Sequence, residues 1–449
     1  MRNSIYILFI SALLLGCSKD DDGNYVAPIS HDFALTFDEN YDSNAVSQAD
    51  ITVTNNEDGV VYTGTSDTEG VVTLSVLPGT YTITATRTFT AEEYFTFSGQ
   101  EVAQEVVFNA SAENILINEE TSTTTTLELV TGKIGDLILK QIYYSGSDVR
   151  NGALYRDQFF EVHNNSNETI YLDGVYFAQV YGATSVSSNL KPYHQSNGQY
   201  DWSQSIGQTD VNNANSDYIY VDEVIQFPGS GTEYPLEPGK STIVAATAVN
   251  HKAPLTVEDD EGETVVYEVV NPDLTIDLSN APFETYFRQY QESQGSSFLD
   301  SDIDNPNAVN MNIAFKTFAG KDLILDPMGR DAFAIFRADD AVFNGWNTVP
   351  LPSITADNFD EDTSVYLQIP VSVILDGVET QRNDPSKAKP KRLTDAIDAG
   401  EISTIQGHYT SESIIRKVSA EIDGKVFYQD TNNSANDFEV LARPQVVIE

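Results

Sequence analysis

Three aspartates at alternate positions, Asp300, Asp302 and Asp304, come nearest in this chain to the spacing of a metal site. In Asp300-Ser301-Asp302-Ile303-Asp304-Asn305 the oxygen ligands recur as at the start of a calcium loop. The series then departs from that pattern. Asn305 stands where a glycine makes the sharp turn, and Met311 where a bidentate glutamate closes the shell. An acidic turn before Pro306 is the plainer reading, and a looser surface calcium site is the only cofactor the sequence suggests. His31, His163, His194, His251 and His408 show no metal-ligand spacing such as H-E-x-x-H. No G-x-S-x-G elbow or phosphate-binding loop occurs. A hydrolase would need serine, a carboxylate or a metal, and no motif assembles such a site. No catalytic residue is assigned, and the protein is expected not to be an enzyme.

Recognition has better material. Residues 180–232 form a long polar insertion holding Tyr193, Tyr200, Trp202 and Tyr218, with Tyr181 and Tyr220 beside them. Aromatic loop side chains bury area at small entropic cost, which suits sugars and proteins. Tyr193, Tyr200, Trp202 and Tyr218 are therefore the expected ligand contacts; the alternative is burial over a β-sandwich. The basic cluster Lys387-Ala388-Lys389-Pro390-Lys391-Arg392 reads as a solvated loop, or as a contact for lipid headgroups or an acidic partner.

The one cysteine, Cys17, ends the apolar run 5–15 behind a single basic residue, Arg2. That run is about half the length of a membrane-crossing helix, and its position is that of a signal peptide. Leu14-Leu15-Gly16-Cys17 resembles the lipobox of bacterial lipoproteins, which implies lipidation of Cys17 and a membrane anchor of two or three acyl chains. Leu15 is bulkier than the residue usual there. Ser18-Lys19-Asp20-Asp21-Asp22 resembles the export tag of Bacteroidota surface lipoproteins, with a solvated acidic tether as the alternative. The expected location is the outer membrane, facing the exterior.

The 449 residues carry 68 acidic and 24 basic side chains, a net charge of −44. So acidic a surface repels phosphate backbones, so nucleic acid is excluded as a partner. With Cys17 committed to lipid, no internal disulfide can form, and the fold must rest on core packing. The 23 tyrosines and 22 phenylalanines, with abundant Thr, Val, Ser, Asn and Gly, point to an all-β chain with many turns.

Residues 1–17 are read as the signal peptide ending at the lipidated cysteine, and 18–29 as the tether. Over 30–131 short alternating strands follow. In Tyr81-Thr82-Ile83-Thr84-Ala85-Thr86, Tyr81, Ile83 and Ala85 share one face and three threonines the other. Leu77-Pro78-Gly79-Thr80 reads as a turn in which proline and glycine supply special dihedrals. With Ile51-Thr52-Val53-Thr54 and Asp67-Thr68-Glu69-Gly70, this stretch resembles the carboxypeptidase-regulatory-like, prealbumin-type sandwich, which implies a stalk or spacer. Some relatives carry a Lys–Asn isopeptide bond; no lysine lies between Lys19 and Lys133, so that chemistry is absent.

Residues 132–449 read differently. Asp136-Leu137-Ile138-Leu139-Lys140-Gln141-Ile142-Tyr143-Tyr144, then Gln158-Phe159-Phe160-Glu161-Val162-His163-Asn164, Ile170-Tyr171-Leu172-Asp173-Gly174 and Pro238-Gly239 resemble the lamin-tail domain. Gln141 stands where that family often has an acid. Glu161, between Phe160 and Val162, is expected to face away from them as a structural carboxylate. Asp376-Gly377 and the run from Asp430 to Phe438 further resemble an uncharacterised family of Bacteroidota lipoproteins with an enlarged lamin-tail-like core. The resemblance implies a large β-sandwich and a surface location, with no established activity.

Three functions follow as expectations. The first is a non-enzymatic binding or adaptor role at the outer membrane, as accessory to an uptake system and with an outer-membrane protein partner. The second is a calcium-stabilised adhesin, or a module for glycan, peptide or protein. The third is a hydrolase with an unrecognised site.

Overall fold

The computed structural model describes residues 27–37, 41, 44–98, 106–129, 136–153, 156–166, 168–182, 190–258, 262–317, 320–422 and 425–447. Cys17 and residues 18–26 of the tether lie outside them. The chain is all-β in class.

One hydrophobic cluster draws wholly on residues 33–129. It lies in a module of two sheets. In the three-stranded sheet Ile29–Phe37 is central, antiparallel to Val71–Val76 and parallel to Thr124–Leu129. The four-stranded sheet runs Val61–Thr65, Asp50–Asn55, Gly79–Phe89, Val106–Ile117. Strict alternation puts Tyr81, Ile83 and Ala85 inside. The Tyr81 hydroxyl donates back to the Leu77 carbonyl and pins the preceding turn. Gly79 has no positive φ. Its need for glycine is close approach: a Cβ there would sit 2.8 Å from Asn55 Nδ2. A helix, Ala91–Ser98, places Tyr94 and Phe97 against Phe37, Phe89 and Phe108.

From residue 137 onward two seven-stranded sheets face each other. The first runs Val309–Asn310, Phe283–Glu284, Ser241–Ala245, Phe159–Asn164, Leu137–Tyr143, Ser413–Arg416, Phe438–Leu441. The second runs Thr348–Pro350, Val365–Pro370, Tyr218–Gln226, Val175–Val180, Ala332–Arg337, Ile374–Val378, with Asn312–Lys316 also paired to Tyr218–Gln226. Phe160 and Phe177 stack across the gap at 3.9 Å.

The central strands are buried on both faces, unlike the wet-and-dry alternation of the first module. In Val175–Val180, Val175 and Phe177 enter the core between the sheets, while Tyr176, Ala178 and Val180 enter a second cluster behind it. In Phe159–Asn164, Glu161 points away from that core and pairs with Lys140 at 2.7 Å. His163 beside it donates from Nε2 to the Val426 carbonyl at 2.9 Å. The hairpin Val418–Ile422, Lys425–Tyr428 covers that face. Arg416, buried, ion-pairs with Asp376, Asp430 and Asp437, and the Asn433 side chain caps Ser434–Asp437. Residues 430–433 are thus a structural loop leading into that turn of helix.

Candidate ligand-binding cavity

The polar insertion ends sooner than its composition suggests. Tyr218–Gln226 is a central strand of the second sheet, so Tyr218 and Tyr220 belong to the scaffold. Before it, two short turns of 3₁₀ helix, Lys191–Tyr193 and Trp202–Gln204, hold the loop.

Asp201 organises this loop. Its Oδ1 accepts from Ser203 and Asn215 and its Oδ2 from Gln204. Burial alone would raise its carboxyl, but these bonds outweigh it and hold the group below the usual carboxylate value. The Trp202 amide donates to Asn215 Oδ1 at 2.9 Å. The indole lies flat on Tyr220, centroids 3.9 Å apart and planes 8° from parallel. Tyr200 meets the Trp202 edge, and Tyr181 packs on Tyr366. The aromatic residues thus dock the loop onto the outer face of the second sheet.

Beside this aromatic cluster opens a cavity of about 450 Å³, within the roughly 300–1,000 Å³ usual for ligand pockets. Tyr200, Trp202 and Tyr218 line it, and Tyr193 does not. Tyr193 stays in its 3₁₀ turn, half-buried, with its carbonyl bonded to the Asp201 amide. The remaining wall is rich in side-chain amides: Gln195, Asn197, Gln199 and Asn215.

The basic cluster divides. Lys387 is exposed and pairs with Asp384 at 3.1 Å, as a solvated loop should. Pro390, Lys391 and Arg392 form a cavity wall, and the side chains of both cations are buried. Lys391 Nζ meets Asp395 Oδ1 at 2.6 Å and donates to the Asp398 carbonyl, also at 2.6 Å. Burial disfavours its charge, but Asp395 and Asp398 more than restore it. Arg392 pairs with Glu379 at 2.7 Å, and its Nε alone has no acceptor among the described residues. Each of these two wall cations therefore has a carboxylate within the fold.

The first module completes the site. Ser111, on Val106–Ile117, lines the cavity with Ala112. Its amide and hydroxyl donate to Asp395 at 2.8 and 3.0 Å. Nearby, Asn109 Nδ2 donates to the Thr431 carbonyl. Three of the four expected aromatic residues meet at this cavity, whose other wall residues, Ser111, Asp395 and the amides, sequence reasoning missed. Gln195, Asn197 and Gln199, alternating in a short run, were the available signal; Ser111 carried none.

The aspartate series does not gather. Asp302 is buried, and its Oδ2 accepts from the amides of Phe287 and Arg288 at 2.8 and 3.1 Å. Asp304, by contrast, is exposed and accepts from Asn310. Among the described residues no group of three or more His, Cys, Asp or Glu side chains is placed to hold a metal ion. The expected calcium set Asp300, Asp302 and Asp304 is corrected accordingly: Asp302 serves as a cap for the turn at 287–288. Among the described residues no helix is long and apolar enough to cross a membrane.

Residues 237–445 match the family model described as a protein of unknown function, DUF4876. The crystal structure of a DUF4876 family protein from Bacteroides thetaiotaomicron is 27% identical with a TM-score of 0.51, over 94% of this chain and 96% of that one. The similarity thus reaches an uncharacterised family and extends along both modules. A putative adhesin from Bacteroides ovatus, 14% identical over 38% of this chain and 60% of that one, has a TM-score of 0.17. A putative cell adhesion protein from Parabacteroides distasonis, 13% identical over 54% and 88%, has a TM-score of 0.15. Superpositions that shallow bear on neither fold nor role. No curated protein matches the chain.

Proposed function

We propose that this protein is a non-enzymatic binding lipoprotein of the outer membrane, and that the 450 Å³ cavity takes a neutral saccharide. One observation carries this reading: a wall of aromatic rings and side-chain amides in which Lys391 and Arg392 are already paired. Rings offer apolar faces to C–H surfaces, and amides exchange hydrogen bonds with hydroxyls. Wall cations engaged by the fold are poor partners for an anion. Saccharide capture fits an accessory of an uptake system better than a calcium-stabilised adhesin, because the aspartate series does not converge. The carboxypeptidase-regulatory-like stalk, the lamin-tail-like head and the anchor at Cys17 are parts of the same proposal. They would hold the cavity away from the lipid.

The test is a glycan array probed with residues 24–449, followed by calorimetry on the strongest neutral hit. Binding of neutral oligosaccharides, weakened at least tenfold by Tyr200→Ala or Asn197→Ala, supports the reading. Binding of acidic glycans alone, or of none, overturns it.

A further inference from the structure

A second cavity, of about 340 Å³, lies where two loops leave the first seven-stranded sheet and meet the hairpin Leu255–Glu258, Thr264–Tyr267. Val249, Ala253, Leu255 and Val266 give it apolar walls. Arg150 and Arg156 also line it. In a chain with 68 acidic and 24 basic residues, two arginines on one cavity of mixed polar and apolar wall are conspicuous.

Arg156 is held but not satisfied. Its guanidinium lies 4.7 Å over the Tyr267 ring, and one Nη donates to Ser301 Oγ at 2.8 Å. Its Nε has no acceptor within the described residues. A guanidinium has five N–H donors in a planar fork that matches a carboxylate. Arg150 is exposed, and its charge helps hold down the Asp148 carboxyl, which the Arg150 and Asn151 amides chiefly lower. The acid on the wall is Glu268, which is exposed. Burial pushes Asp322 up to about 7, an effect that the Arg156 guanidinium nearby only partly offsets. His251, also on the wall, is buried and uncharged at neutral pH, burial having pushed it down to about 4. The positive character therefore comes from the two arginines.

We propose that this cavity binds an amphipathic monocarboxylate, with its alkyl body against Val249, Leu255 and Val266 and its carboxylate on Arg156 and Arg150. The site is separate from the saccharide cavity and does not depend on that reading.

Calorimetry on residues 24–449 with decanoate and with decanol separates charge from greasiness. Decanoate is expected to bind at least tenfold tighter than decanol. Arg156→Gln should weaken decanoate tenfold or more and leave decanol unchanged. Arg150→Gln, at an exposed position, should weaken decanoate several-fold. Equal affinity for acid and alcohol, no binding of decanoate, or full decanoate affinity in both variants would each overturn the proposal.

Discussion

Ser111 and Asp395 are 284 residues apart, yet the amide and hydroxyl of the first donate to the two carboxylate oxygens of the second at 2.8 and 3.0 Å. Asp395 also holds Lys391 at 2.6 Å. One partly exposed carboxylate thus ties the first module to the head and neutralises a cation in the cavity wall.

Asp395→Ala should therefore do two things. It leaves Lys391 charged, buried and short of its partner, which costs about 2–4 kcal/mol once the carboxylate's partial exposure is allowed for. It also frees Ser111, so saccharide affinity should fall. Asp395→Asn keeps an acceptor for Ser111 and should lose less affinity. Urea unfolding and calorimetry on the same variants read both effects, and unchanged stability in the alanine variant would contradict the latch.

Trp202 is one of only two tryptophans, the other being Trp346. In a Trp346→Phe background, emission comes from the indole on the cavity wall. Saccharide binding is expected to change that emission, and decanoate in the second cavity is not. Trp202→Ala removes the stack on Tyr220 and should destabilise the protein by about 3–5 kcal/mol, as for other buried aromatics. A urea midpoint that does not move would show that the loop is not docked by its rings.

Stability should fall as pH rises. Burial pushes Asp157 up to about 6, and Asp398 and Glu284 up to about 7. Each lies above its unfolded value near 4, so the native state binds more protons between the two values, and their contribution is lost as pH climbs through the folded one. His251 works oppositely: held down to about 4, it adds stability as pH rises from about 4 to 6.5 and nothing further above that. Between pH 6.5 and 8 the carboxyls act unopposed, with an expected loss of about 1–2 kcal/mol. The net charge of −44 adds self-repulsion in the same direction. Urea midpoints across that range check the sign, and Glu284→Gln should flatten the slope.

Gly79→Ala should cost about 1–2 kcal/mol through crowding of Asn55. Because the native φ is not positive, a strain-free backbone and a shifted Asn55 side chain are expected in the variant's crystal structure. Cys17→Ser should move the full-length protein from the membrane fraction to the soluble one; continued membrane fractionation would refute the anchor.

Much of this was legible from period and composition. Alternation in Tyr81–Thr86 located an inward face because the opposite face is only half-buried. The same logic fails at Phe159–Asn164 and Val175–Val180, where a second layer covers the other side and polar residues such as Glu161 and His163 are buried with partners. Tyr218 looked like insertion because tyrosine suits both loops and strands; its place in Tyr218–Gln226 depends on pairing with Val365–Pro370, more than a hundred residues away. The aspartate series misled because spacing cannot say where an oxygen points. The bond from Ser111 to Asp395 joins positions with no local pattern, and only the folded chain brings them together.

The first module has a mechanical consequence. Its entry strand, Ile29–Phe37, lies parallel to its exit strand, Thr124–Leu129, in register from Asp32 opposite Thr124 to Phe37 opposite Leu129. A pull applied between the chain before Ile29 and the chain after Leu129 draws these neighbours in opposite directions along their length. The connecting hydrogen bonds are then strained together in shear instead of being peeled one at a time. The small sandwich is built to bear tension.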